Sequence, residues 1–179
     1  MSTYKRLAAA AVAGLLAGCV TQPQPQKAPS LGTAAPAEEV AQLDISIPPT
    51  GQGLPPGGAT ARQGATLYAA KCASCHGAQG GGKPADALVG GIGSLATERP
   101  VRTVGSYWPY ATTLFDYIRR AMPLAKPLSL SNDEVYALSA YILYLNGIVA
   151  EDEAMTATTL PLVRMPNRSG FIDAWEQKR

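Results

Sequence analysis

The chain has 179 residues, room for one modest domain with extensions. Its 46% hydrophobic and 16% charged residues exclude a wholly disordered protein. A formal net charge of +2, with no basic run of the kind that tracks phosphates, is no nucleic-acid signal, and no nucleic-acid partner is expected.

Lys5 and Arg6 precede an apolar run from Leu7 to Gly18 that is too short to span a bilayer. This is the pattern of an export signal. It ends in Leu16-Ala17-Gly18-Cys19, which resembles the bacterial lipobox, where cleavage precedes an acylated cysteine. Residues 1–18 are therefore read as a lipoprotein signal and Cys19 as the lipidation site. The competing reading is an ordinary secretory signal with Cys19 incidental. Val20 follows, with no aspartate to retain the protein at an inner membrane. The expected location is periplasmic, anchored to a bacterial membrane by lipid. Loss of Lys5 and Arg6 takes the basic residues from 15 to 13 against 13 acidic ones, so the mature chain is near neutral. Partner choice must then come from a local patch.

Residues 19–57 are rich in Pro, Gln, Ala and Gly (TQPQPQKAPS, IPPTGQGLPPGG) and read as a semi-extended tether. Stretched, such a segment reaches on the order of 100 Å. The run Leu43–Ile47 alternates and fits either a short strand or a docking segment. Residues 58–150 form the expected domain, and 151–179 an extension that either clamps it or grips a partner.

Thr60 is placed to cap a helix through ARQGATLYAAKCASCHG. Gly64 costs helix propensity, which a close approach to another helix would explain. Tyr68 lies four residues on, along the same face. Cys72-Ala73-Ser74-Cys75-His76 then spells C-x-x-C-H, the c-type haem attachment signature. Two thiols one helical turn apart can each add to a haem vinyl group, with the adjacent imidazole under the iron. A structural zinc usually needs four ligands, and the chain has three cysteines and one histidine. A dithiol redox pair would want a βαβ pattern, and none is visible.

The glycine-rich stretch Gly77–Leu95 is predicted to be loop wrapped against the macrocycle. Pro84 is a candidate to offer its carbonyl to the second ring nitrogen of His76. A helix over Ala111–Met122 shows a stripe of Leu114, Tyr117, Ile118, Ala121 and Met122, and Pro123 ends it. Ser131-Asn132-Asp133-Glu134 is a capping box in sequence form. It opens a last helix with Val135, Leu138, Tyr141, Ile142 and Leu145 inward, and Asn146-Gly147 as its stop. The pattern predicts an all-α fold with long loops.

His76 is the only histidine, so bis-histidine ligation within the chain is excluded. Methionine is the usual partner in electron carriers and raises the potential. Met122 lies 46 residues after His76 (122 − 76), at a helix end before a proline. A core methionine filling a gap is the alternative for it. Met165, also followed by proline, is the runner-up, and Met155 has little to recommend it. An open or lysine-ligated iron is the less common arrangement.

Three runs go beyond a generic haem protein: RPVRTVGSYWPYATTLFDYIRRAMP (99–123), SNDEVYALSAYILYLNGI (131–148) and VRMPNRSGF (163–171). From Gly58 to Phe171 the chain resembles the cytochrome c subunit of the molybdenum-dependent sulfite and sulfane dehydrogenases. The resemblance implies a small class I cytochrome c fold around one covalent haem c. It implies a non-catalytic subunit that takes electrons from a molybdopterin partner and relays them to a downstream cytochrome c or oxidase. Carried over by position, Cys72 and Cys75 are the thioether sites, His76 the proximal ligand and Met122 the distal one. Arg102, Tyr107 and Trp108 are donors to the haem propionates, or else, for the two aromatics, plain core packing. A single C-x-x-C-H excludes a relay between two haems within this chain. Two other readings remain: an independent membrane-tethered shuttle cytochrome, and a haem sensor or enzyme with a labile sixth ligand.

Overall fold

The computed structural model describes residues 31–172 and 174–175. The signal segment, Cys19 and the first part of the tether lie outside the described residues. The chain divides into residues 1–37 and a compact unit, Glu38 to Arg179, and the second carries everything that follows.

The described residues are mostly helical, as the periodicities predict. After α1 (Ala37–Leu43) come α2 (Ala61–Lys71), α3 (Ala73–His76), α4 (Val104–Tyr107), α5 (Ala111–Ala121) and α6 (Asn132–Leu145). Two-residue strands β1 (Gly58–Ala59) and β2 (Met155–Thr156) pair antiparallel, Gly58 opposite Thr156. Capping boxes start α2 at Thr60 and α6 at Ser131, each with its N3 side chain reaching back to the cap N–H.

Helix α6 is the centre of the molecule. Val135 to Ala140, Ile142 and Leu143 are all buried, because α2 covers one side and α5 another. A one-sided stripe is therefore too narrow a description of it: Tyr136 and Ala137 are as buried as Leu138, and Tyr141 and Leu145 are half-buried. Ser139, inside this core, returns its hydroxyl to Val135 O at 2.7 Å, so its burial leaves no unpaired donor.

The crossing of α2 over α6 is the most extensive helix contact in the protein. Gly64 makes it possible: a Cβ there would lie 2.0 Å from the Ala137 carbonyl oxygen and 2.7 Å from Tyr141 Cβ. Beside it the Tyr68 and Tyr141 rings pack at 5.2 Å. Lys71 at the end of α2 pairs with Glu134 at the start of α6, 3.1 Å apart.

Helix α5 differs from its predicted stripe. Phe115 is fully buried against Tyr136, ring centroids 4.5 Å apart, whereas Tyr117 is 46% exposed. The buried arc runs from Leu114 through Ile118, Ala111 and Phe115 to Thr112 and Asp116. Two polar residues lie within it because a preceding segment supplies their partners.

That segment is residues 45–57, read from composition as tether. Ile47 is buried in the core, its N–H bonded to Asp116 Oδ1 at 2.8 Å. The Tyr136 hydroxyl donates to Pro55 O at 2.9 Å. Leu43–Ile47 is thus helix end and docking segment, not a strand. The C-terminal extension is also integral: Met155, Leu160 and Met165 are in the same core. The two flanks meet where a Cβ on Gly51 would come 2.4 Å from Pro161 Cγ.

Burial alone would raise the Asp116 carboxyl, but hydrogen bonds from Arg120 and the Ile47 N–H, with the charges of Arg120 and Arg119, hold it below the usual carboxylate range. Its stabilising contribution is complete above its unfolded pKa of about 3.9 and is lost as pH falls through the depressed folded value. Acid titration of stability should accordingly show a loss below pH ~4 that Asp116→Asn removes. Identical acid limbs for the two proteins would refute this.

Candidate haem-attachment site

Helix α2 stops at Cys72, whose N–H still bonds Tyr68 O at 2.9 Å but whose ψ of −36° with φ of −124° breaks the run. One further turn follows, closed by His76 N–H to Cys72 O at 3.0 Å and Gly77 N–H to Ala73 O at 2.9 Å. Cys72 and Cys75 therefore stand one turn apart on the same short helix. Both thiols are free, Cys72 half-buried and Cys75 exposed. Burial pushes the Cys72 thiol up, with Lys71 acting the other way.

The chain then folds back beneath its own motif. Gly82 N–H reaches His76 O at 2.8 Å and Ala85 N–H reaches Cys75 O at 2.9 Å. This reversal needs left-handed backbone at Gly77 (φ 79°) and Gly82 (φ 90°), conformations that favour glycine. It brings the Asp86 carbonyl to 2.9 Å from His76 Nδ1. The expected acceptor was Pro84. A tight turn, with Lys83 N–H on Ala85 O at 2.7 Å, delays the approach by two residues. A carbonyl can only accept, so Nδ1 is the donor, and in the neutral imidazole Nε2 then keeps its lone pair. The donor set thus fits a c-type haem: two reduced thiols in register, and an imidazole whose unprotonated nitrogen has no other partner among the described residues.

Two side chains that the sequence presented only as packing or punctuation hold this loop. The Tyr68 hydroxyl donates to Gly77 O at 3.0 Å, and burial first, then the neighbouring Cys72 and Tyr141, pushes it up to about 12. It remains a donor at any physiological pH. Asn146, read as a helix stop, is buried at the end of α6. Its amide donates to Leu88 O at 3.1 Å and Ile142 O at 2.9 Å and accepts from Gly90 N–H at 3.2 Å. No residue-level pattern announces such bonds, because their partners are backbone atoms of a loop.

Of the three methionines among the described residues, Met155 and Met165 are fully packed in the core, at 0% and 3% exposure. Met122 caps α5 in extended conformation, its N–H on Ile118 O at 3.1 Å, half-buried at the edge of the core. Arg102 and Tyr107, expected at the propionates, lie together, the guanidinium 5.8 Å from the ring centroid. They line a cavity of about 600 Å³ with Leu95, Pro100, Asn167 and Phe171. Neither cysteine, His76 nor Met122 lines it. Trp108 faces elsewhere, packed edge-on against Tyr117 at 5.8 Å.

Residues 59–142 match the family described as cytochrome c oxidase, cbb3-type, subunit III. No curated protein matches significantly. Among solved structures, the sulfane dehydrogenase SoxCD from Paracoccus pantotrophus shares 43% identity, over 84% of this chain and 75% of that one, with a TM-score of 0.76.

Proposed function

Because the chain belongs to the cytochrome c subunits of the sulfite and sulfane dehydrogenase family, we propose that it accepts electrons from a molybdenum-containing dehydrogenase subunit and relays them to a downstream cytochrome or oxidase. The observation that carries this is 43% identity across 84% of the chain, far beyond what the haem motif alone would produce. In this reading the subunit does no chemistry on the sulfur compound.

One haem c, bonded through Cys72 and Cys75, supplies a one-electron centre. His76 would present Nε2 to the iron, with Asp86 O orienting the ring through Nδ1. Met122 would supply a thioether, a soft donor that favours the reduced state of the iron. Loop 77–90 is pinned by Tyr68 and Asn146 on the His76 side of the site.

The exported protein is anchored through lipid on Cys19. Cys19→Ala should leave haem loading intact and release the protein from membranes, and unchanged membrane association would refute the anchor.

The decisive experiment for the main reading is purification from native membranes. A molybdopterin subunit should accompany the protein, and sulfite or a sulfane-sulfur donor should reduce the haem only when that subunit is present. A haem left oxidised by substrate and subunit together would overturn the proposal. Reduction by a respiratory complex instead would favour the independent shuttle.

A further inference from the structure

The helix that presents Met122 is laced to the segment before the domain by bonds from alternate residues. The Arg119 guanidinium donates to Ile45 O at 3.2 Å. Ile47 N–H donates to Asp116 Oδ1 at 2.8 Å. The Thr112 hydroxyl donates to Pro49 O at 3.3 Å. Residues 45, 47 and 49 thus meet 119, 116 and 112, successive turns of α5, with the chain running antiparallel to the helix. Asp116 is the middle tie, 8% exposed, and it also receives the Arg120 guanidinium from one turn on.

The remaining contacts of α5 with α6 are largely apolar, among them Phe115 on Tyr136. Such contacts are non-directional, whereas hydrogen bonds to fixed partners weaken steeply once distance and angle are lost. A helix rises about 1.5 Å per residue, so slip by a single residue would carry the group at its C-terminal cap out of bonding reach of a fixed partner. Met122 is that group.

We propose that Ile45–Pro49 is a strap that sets the axial register of α5 through Asp116, and so fixes the thioether of Met122. Asp116 is a positioning residue. The inference rests on the reading of Met122 as the iron ligand, and the test separates the two.

The experiment uses the full-length, haem-loaded protein and measures imidazole affinity of the ferric form, together with the near-infrared methionine–ferric band and thermal unfolding. Asp116→Asn should bind imidazole at least tenfold more tightly, with a weakened band. Thr112→Val, which leaves the Asp116–Arg120 pair intact, should show a severalfold gain and decides the matter alone if Asp116→Asn does not fold. Glu134→Gln disturbs the N-terminal cap of α6 and its ion pair with Lys71 of α2, away from α5, and should lower thermal stability without changing imidazole affinity. Equal imidazole affinity in wild type, Asp116→Asn and Thr112→Val would overturn the strap, as would a gain in Glu134→Gln as large as theirs. Met122→Ala reports on the premise: if it keeps the band and the wild-type affinity, the ligand reading fails and the strap's role falls with it. If Met122→Ala opens the iron while the strap variants do nothing, the strap alone is wrong.

Discussion

Gly64→Ala should be among the most damaging single-methyl additions in this protein. The new Cβ would lie 2.0 Å from Ala137 O, a backbone atom that cannot swing aside, so α2 must lift from α6. Intrinsic helix propensity acts the other way, favouring alanine by about 1 kcal/mol. Overpacking of a tight core costs typically 1–3 kcal/mol and occasionally more. Here the clash is with backbone and the crossing is the most extensive in the molecule, so the upper end should win. At roughly 2–4 °C per kcal/mol for a domain of this size, the net loss of about 2 kcal/mol lowers Tm by about 4–8 °C, measured by calorimetry of the haem-loaded protein. A variant as stable as wild type would mean that the helices have room to spare.

Met122→Ala should abolish the methionine–ferric band and open the reduced protein to carbon monoxide. Met165→Ala should keep the band and instead lose about 2–5 kcal/mol of stability, the usual cost of emptying a buried methionine site. The contrast follows from burial: Met165 is 3% exposed among core side chains, whereas Met122 is half-buried where α5 ends. Exchange of these two phenotypes would reverse the ligand assignment.

The parts of this protein legible in its sequence are those written in consecutive side chains. The haem motif, the capping boxes at Thr60 and Ser131, the glycine of the helix crossing and the Asn146-Gly147 stop all stand in plain view. What escaped depends on backbone atoms brought from afar. The His76 acceptor belongs to Asp86 because of where a glycine turn closes, and the side chain of Asp86 has no part in it. Composition hid the strap, since one buried isoleucine in a Pro- and Gln-rich stretch does not change its average. The stripe on α5 misplaced Phe115 and Tyr117 because polar Thr112 and Asp116 are buried by partners about 63 to 69 residues away.

The meeting of Gly51 and Pro161 carries a lesson about modularity. A haem module cut from this chain at residues 58 and 150 would lose the plugs formed by Ile47, Met155, Leu160 and Met165 and bare the hollows they fill. Recombination, whether natural or in the laboratory, must therefore move the stretch from about residue 44 to about residue 167 as an indivisible cassette.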